Sequence, residues 1–117
     1  MIQQQILTLL SGATEAGTRV FPLVAPDGVT RPYIVYQRVA AVSENVLSGD
    51  AGLINTRVQI DAYADTYAQA QTVGAAVLAL MSGWSVQNVN LMSQDFFEPD
   101  AKLHRCSMDF SIWHSSA

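Results

Sequence analysis

Ile2, Ile6, Leu9 and Leu10 recur at helical spacing between glutamines and Thr8, which predicts a short amphipathic helix over residues 2–11. Gly12 and Gly17 close that region. Residues 19–22 read as a brief strand stopped by Pro22, and Ala25-Pro26-Asp27-Gly28 supplies turn chemistry. After Pro32, the run Tyr33-Ile34-Val35-Tyr36-Gln37-Arg38-Val39 is dense in β-branched and aromatic residues and predicts a strand. Residues 41–52 carry no sustained period and end on two glycines, so they read as a long connection. Ile54, Thr56, Val58, Ile60 and Ala62 then alternate with Asn55, Arg57, Gln59, Asp61 and Tyr63, the period of two of a strand with one buried face.

A second helix starts at a capping box, Thr66-Tyr67-Ala68-Gln69, with Asp65 placing negative charge near the positive end of the helix dipole. It should run to about Met81 and stop at Gly83. Residues 66–83 hold no charged side chain, whereas a helix on one side of a sheet normally presents a charged outer face. Here that face offers Ala68, Gln71, Thr72, Ala75, Ala76 and Ala79. Small neutral residues let another surface approach closely, although helix propensity alone also favours alanine. From Ser85 to Gln94 the alternation is loose, and residues 96–100 read as a strand end and a turn. His104, Cys106, Met108, Phe110 and Ile112 alternate with more polar neighbours in a last strand. The expected fold is α+β: two helices packed on a mostly antiparallel sheet of about four or five strands, with a long loop between the second and third.

The length, 117 residues, suits a single domain over residues 1–117, and no repeat or composition shift marks a linker. Only 14% of the residues are charged, against roughly 25% in an ordinary soluble domain. Gln, Asn, Ser and Thr fill 30 positions instead, giving a wettable surface of low charge that a neighbour can cover. A net charge of −4 with six scattered basic residues argues against a phosphate-tracking face, so no direct nucleic-acid readout is expected. A lone cysteine, Cys106, allows neither an internal disulfide nor a Cys-rich zinc site, and its place in an apolar alternation reads as core. No stretch approaches the length of a membrane span and Met1-Ile2-Gln3-Gln4-Gln5 lacks a basic start, so folding in the cytoplasm is expected.

Candidate chemistry is sparse. His104 and His114 both lie on the last strand, and no glycine-framed serine elbow or glycine-rich phosphate loop occurs. The chain therefore reads as a non-enzyme, with no cofactor or metal. Asp61, Asp65 and Asp109 are conceivable acids or ligands for a hard cation. Asp61, however, follows Arg57 by four residues, as Asp109 follows Arg105, and in a strand such residues share a face. If the strands neighbour each other antiparallel, Arg57 can approach Asp109 and Arg105 can approach Asp61, a ladder that sets register more than it stabilises. Ordinary solvated charges on an outer face are the plain alternative.

In order, Arg19-Val20-Phe21-Pro22, Pro32 through Gln37, Arg57-Val58-Gln59-Ile60-Asp61-Ala62-Tyr63, Thr66-Tyr67, Glu98-Pro99 and Arg105 through Trp113 form a series over nearly the whole chain. The series resembles the tail-completion, or tail-to-head joining, proteins of siphophages, prophages and phage-derived particles. That resemblance implies a structural virion protein, commonly a hexameric ring, at the head-proximal end of the tail. Such a ring joins the tail to the head, or, as a tail terminator, ends tube growth. Its implied partners are further copies of itself, the tail tube protein and a head completion or connector protein, with no membrane. It implies assembly in the bacterial cytoplasm and residence in the virion, and carries over no catalytic residue. Expected contact residues are Arg57, Gln59, Asp61, Tyr63, Arg105 and Asp109 on the strands, Ala68, Thr72, Ala75 and Ala79 on the helix, and Val46 and Leu47 in the loop. The competing reading is a small cytoplasmic ligand-binding domain whose Tyr33, Tyr36, Trp84, Phe96 and Phe97 line a pocket.

Overall fold

The computed structural model describes residues 2–46 and 49–115, with side chains described outside 42–53 and Ser115. The chain runs α1 (Ile2–Leu10), β1 (Val20–Pro22), β2 (Tyr33–Val46), β3 (Gly49–Ala64), α2 (Tyr67–Ser82), β4 (Asn88–Glu98) and β5 (Leu103–Ser115). The five strands make one mixed sheet in the order β1-β2-β3-β5-β4. Only the short β1–β2 pairing is parallel.

Alternation assigns each strand a face. Ile34, Tyr36, Val58, Ile60, Ala62, Met108, Phe110 and Ile112 point to the helices and merge with Ile6, Leu10, Val73, Val77 and Met81 into one core. Burying each of the larger side chains contributes about 1.5–3 kcal/mol. In α1 the buried residues are Ile2, Ile6 and Leu10, one every fourth position, so a single stripe of a short helix is enough to anchor it. Thr66 caps α2 by accepting a bond from the Gln69 backbone N–H at 3.1 Å, as the capping box predicts. Gly83 ends the helix, donating to the Ala79 carbonyl at 3.0 Å.

Gly74 brings α2 down onto β5. A methyl group there would stand 2.7 Å from Cys106 Sγ and 3.4 Å from its Cβ, so glycine is what allows the helix to sit this low. Cys106 is buried, as its alternation predicts, and burial pushes its thiol pKa up.

The long loop expected over 41–52 is largely ladder. β2 continues to Val46 and β3 begins at Gly49, with Ala41 opposite Thr56, Glu44 opposite Leu53 and Val46 opposite Gly49. The local sequence is poor in strand formers, but each edge supplies the backbone partners of the other, and pairing overrides propensity. Because β5 joins β3 only from Leu53 onward, the hairpin end projects past the body of the sheet. The molecule is accordingly long, 52 × 25 × 23 Å, with a radius of gyration of 15.1 Å against the roughly 13 Å of a compact chain of this size.

Candidate assembly surfaces

The sheet face turned away from the helices carries Arg57, Gln59, Asp61, Tyr63, Arg105 and Asp109, as the alternation predicts. Register then decides who meets whom. Arg57 lies opposite Ser111, Gln59 opposite Asp109, Asp61 opposite Ser107 and Tyr63 opposite Arg105. Arg57 and Asp109 are therefore diagonal neighbours, and so are Asp61 and Arg105. The reciprocal ladder does not close: among the described residues the ion pairs are Arg31–Asp65 at 2.7 Å and Arg105–Glu98 at 3.4 Å.

Asp61 is held instead by Gln59, whose amide donates to both carboxylate oxygens at 3.2 Å and to Ser107 Oγ at 3.2 Å. Asp61 is 5% exposed, so this is an ordered polar patch and not a solvated charge. Arg57 is the exposed member of the set.

Arg105 turns towards β4. Its guanidinium lies 4.4 Å from the centre of the Phe96 ring, a cation–π contact worth about 0.5–1 kcal/mol at a partly exposed site. The 3.4 Å approach of Nε to Glu98 is Coulombic, because the Nε–H has no hydrogen-bond acceptor. Burial works against the charged guanidinium, but Tyr63, Asp61 and Glu98 around it outweigh that and hold its pKa above the ordinary value.

This side chain completes a stripe that crosses all five strands. Phe21 meets the edge of Tyr33 at 6.4 Å, Tyr33 stacks on Tyr63 at 4.9 Å and 16°, Tyr63 faces Arg105, and Arg105 covers Phe96. Each ring pair adds about 0.5–1.5 kcal/mol beyond area. Burial raises the pKa of both stacked tyrosines. Sequence reasoning singled out Tyr63 and Arg105 but not Phe21, Tyr33, Phe96 and Glu98 as their companions, because cross-strand neighbours are set by register.

The second surface is the outer side of α2. Ala68, Thr72, Ala75 and Ala79 are all exposed and form one continuous stripe without charge. Thr72 Oγ1 is turned back onto the Ala68 carbonyl at 3.0 Å, which leaves the stripe smoother still. Of the two hairpin residues, Val46 pairs with Gly49 at the end of the ladder, and Leu47 lies outside the described residues.

The five aromatics of the pocket reading do not converge. Tyr33 and Tyr36 project from opposite faces of β2, as Phe96 and Phe97 do from β4, and Trp84 packs at the margin of the core. His104 lies between Tyr67 and Phe97, and His114 Nε2 shares a 2.7 Å hydrogen bond with Thr56 Oγ1, which is 1% exposed. Among the described residues no group of three or more His, Cys, Asp or Glu is placed to hold a metal ion, and no helix is long and apolar enough to cross a membrane.

The domain is α+β and turns two different faces outward, a polar and aromatic sheet face and an uncharged helix stripe. The chain belongs to the family described as Tail completion protein gp17, which matches residues 2–115. A search of curated proteins gave no match to the sequence.

Proposed function

We propose that this protein is a structural component of a phage-type tail, forming a ring, six copies by the pattern the resemblance implies, at the head-proximal end. It completes or terminates the tail tube there and joins it to the head. The observation that carries the reading is the family match along residues 2–115. The exposed, uncharged stripe of Ala68, Thr72, Ala75 and Ala79 supports it, because such a surface packs closely against a neighbour without stranding charge. Arg57, with Gln59, Asp61, Tyr63, Arg105 and Asp109 around it, and Val46 at the end of β2 with Leu47 after it in the sequence are the further contact residues of this reading. The neighbours are other copies, the tail tube protein and a head completion or connector protein. The protein is thus assembled in the host cytoplasm and carried in the virion, and it acts by contact and not by catalysis.

Negative-stain microscopy of particles from cells lacking the gene tests this. A tail-to-head joiner leaves free tails of normal length beside filled heads, and a terminator leaves overlong tails. Intact particles with normal tails overturn the proposal.

A further inference from the structure

The exposed large apolar side chains are gathered at the two ends of the strand order. Val89, Leu91, Met92, Phe96 and Phe97 all belong to β4, the strand that ends the sheet on one side, and Tyr67 hydrogen-bonds to β4 through Asp95. The others, Leu23, Val24 and Val39, sit at the opposite edge, on the exit of β1 and on β2.

Both edges are open. β4 is 11 residues long, exposed along its length, and contains no Lys, Arg or Pro, the residues that ordinarily guard a free edge. Its guards are the bulge between Asn90 and Met92 and, further along, the carboxylates Asp95 and Glu98. On the other side β1 covers β2 only from Ile34 to Tyr36, so residues 37–46 have no strand on their outer edge among the described residues. The two open edges are similar in length.

We infer that β4 of one copy pairs with the open edge of β2 in the next, so that the sheet continues from subunit to subunit. This rests on the ring reading above and names its interface. Three antiparallel steps separate β2 from β4, so the two run in opposite directions. In a ring whose axis follows the strands every copy keeps those directions, and β4 meets the neighbouring β2 antiparallel. Two different edges meeting head to tail make the kind of contact that closes into a ring.

Height and shape fit. Through β5 and β3, residues 88–92 of β4 stand level with residues 41–37 of β2, so in such a ring Leu91 and Met92 come to the stretch of open edge that carries Val39 and the exposed Arg38. Beside Arg38 an open groove of about 410 Å³, lined by Pro22, Leu23, Tyr36 and Gln37 with Gln3 and Gln4 of α1, lies on the helix side of the sheet. Leu91, 48% exposed at the bulge, and Met92, 46% exposed, are the large apolar side chains of β4 at this height of the sheet.

Two full-length variants test the pairing, Leu91→Lys/Met92→Lys on the β4 edge and Val24→Lys/Val39→Lys on the β2 edge. Their fold is checked by circular dichroism and thermal melting, and their size by sedimentation velocity over a concentration series. Each variant alone should stay monomeric where the unmodified protein assembles. An equimolar mixture should give dimers and nothing larger, because the mixture contains one intact pair of edges.

If only the β4 variant is defective, the contact is β4 against β4 and the inference fails. If both variants assemble normally, the interface lies elsewhere, as on α2, and the ring reading stands without this edge. If the unmodified protein is monomeric up to its solubility limit, self-pairing of the edges is overturned, while the tail role is still decided by the deletion phenotype.

Discussion

The seat of α2 on β5 depends on one missing methyl group. Replacing Gly74 with Ala should raise helix propensity by about 1 kcal/mol in an open position. Here the new Cβ would stand 2.7 Å from Cys106 Sγ, a separation real Cβ atoms do not tolerate, inside a core where Cys106 is 6% exposed. Overpacking of this kind costs about 1–3 kcal/mol, so Gly74→Ala should lower stability by a net ~1 kcal/mol, or a few degrees in Tm. Removing the sulfur removes the clash, since the remaining 3.4 Å to Cys106 Cβ is ordinary contact. In a Cys106→Ala background the same change should therefore stabilise by up to ~1 kcal/mol, a coupling of about 2 kcal/mol between the two sites. Urea denaturation of the four proteins measures the cycle, with constant m-values as the check that each unfolds in the same way. If Gly74→Ala stabilises the unmodified protein by about 1 kcal/mol, α2 does not press on β5 at this point and the packing argument fails.

Thr66→Ala should cost about 1 kcal/mol in urea denaturation, because it removes the acceptor of the Gln69 N–H, and Thr66→Ser should restore most of it; equal stability of all three would mean the cap contributes nothing. Stability should also fall with alkali. Burial favours the neutral forms of Tyr33 and Tyr63 and raises both pKa values in the folded state. Their contribution is thus complete below the unfolded value of about 10 and is lost as pH rises through the higher folded values. The buried thiol of Cys106 adds a loss of the same sign, starting lower. Urea midpoints from pH 8 to pH 11 should decline, less steeply in Tyr63→Phe, and a flat or rising profile would refute the assignment.

Much of the architecture was legible locally. The alternation in β3 and β5 assigned Val58, Ile60, Met108 and Phe110 to the core, and Thr66 and Gly83 marked the ends of α2, because burial of one face and satisfaction of helix termini act within a few residues. β4 was only half legible for a physical reason. The bulge at Leu91 moves the face turned to the helices from Asn88 and Asn90 to Ser93, Asp95 and Phe97, which breaks the period of two. The residues of 41–52 looked like a loop for the opposite reason, since their pairing comes from the facing strand and not from their own propensity.

Local pattern carried the two helices, the cores of β2, β3 and β5 with the faces of their residues, and a surface poor in charge, together with the family resemblance those elements carry. What stands beside what was settled in the folded sheet. The sheet placed Arg105 against Phe96 and Glu98 and not against Asp61, and made β4 an outer edge next to β5. Periodicity is a property of one strand, whereas register and strand order depend on residues far apart in the chain. The open edges at β4 and β2 therefore emerge only when the whole sheet is formed.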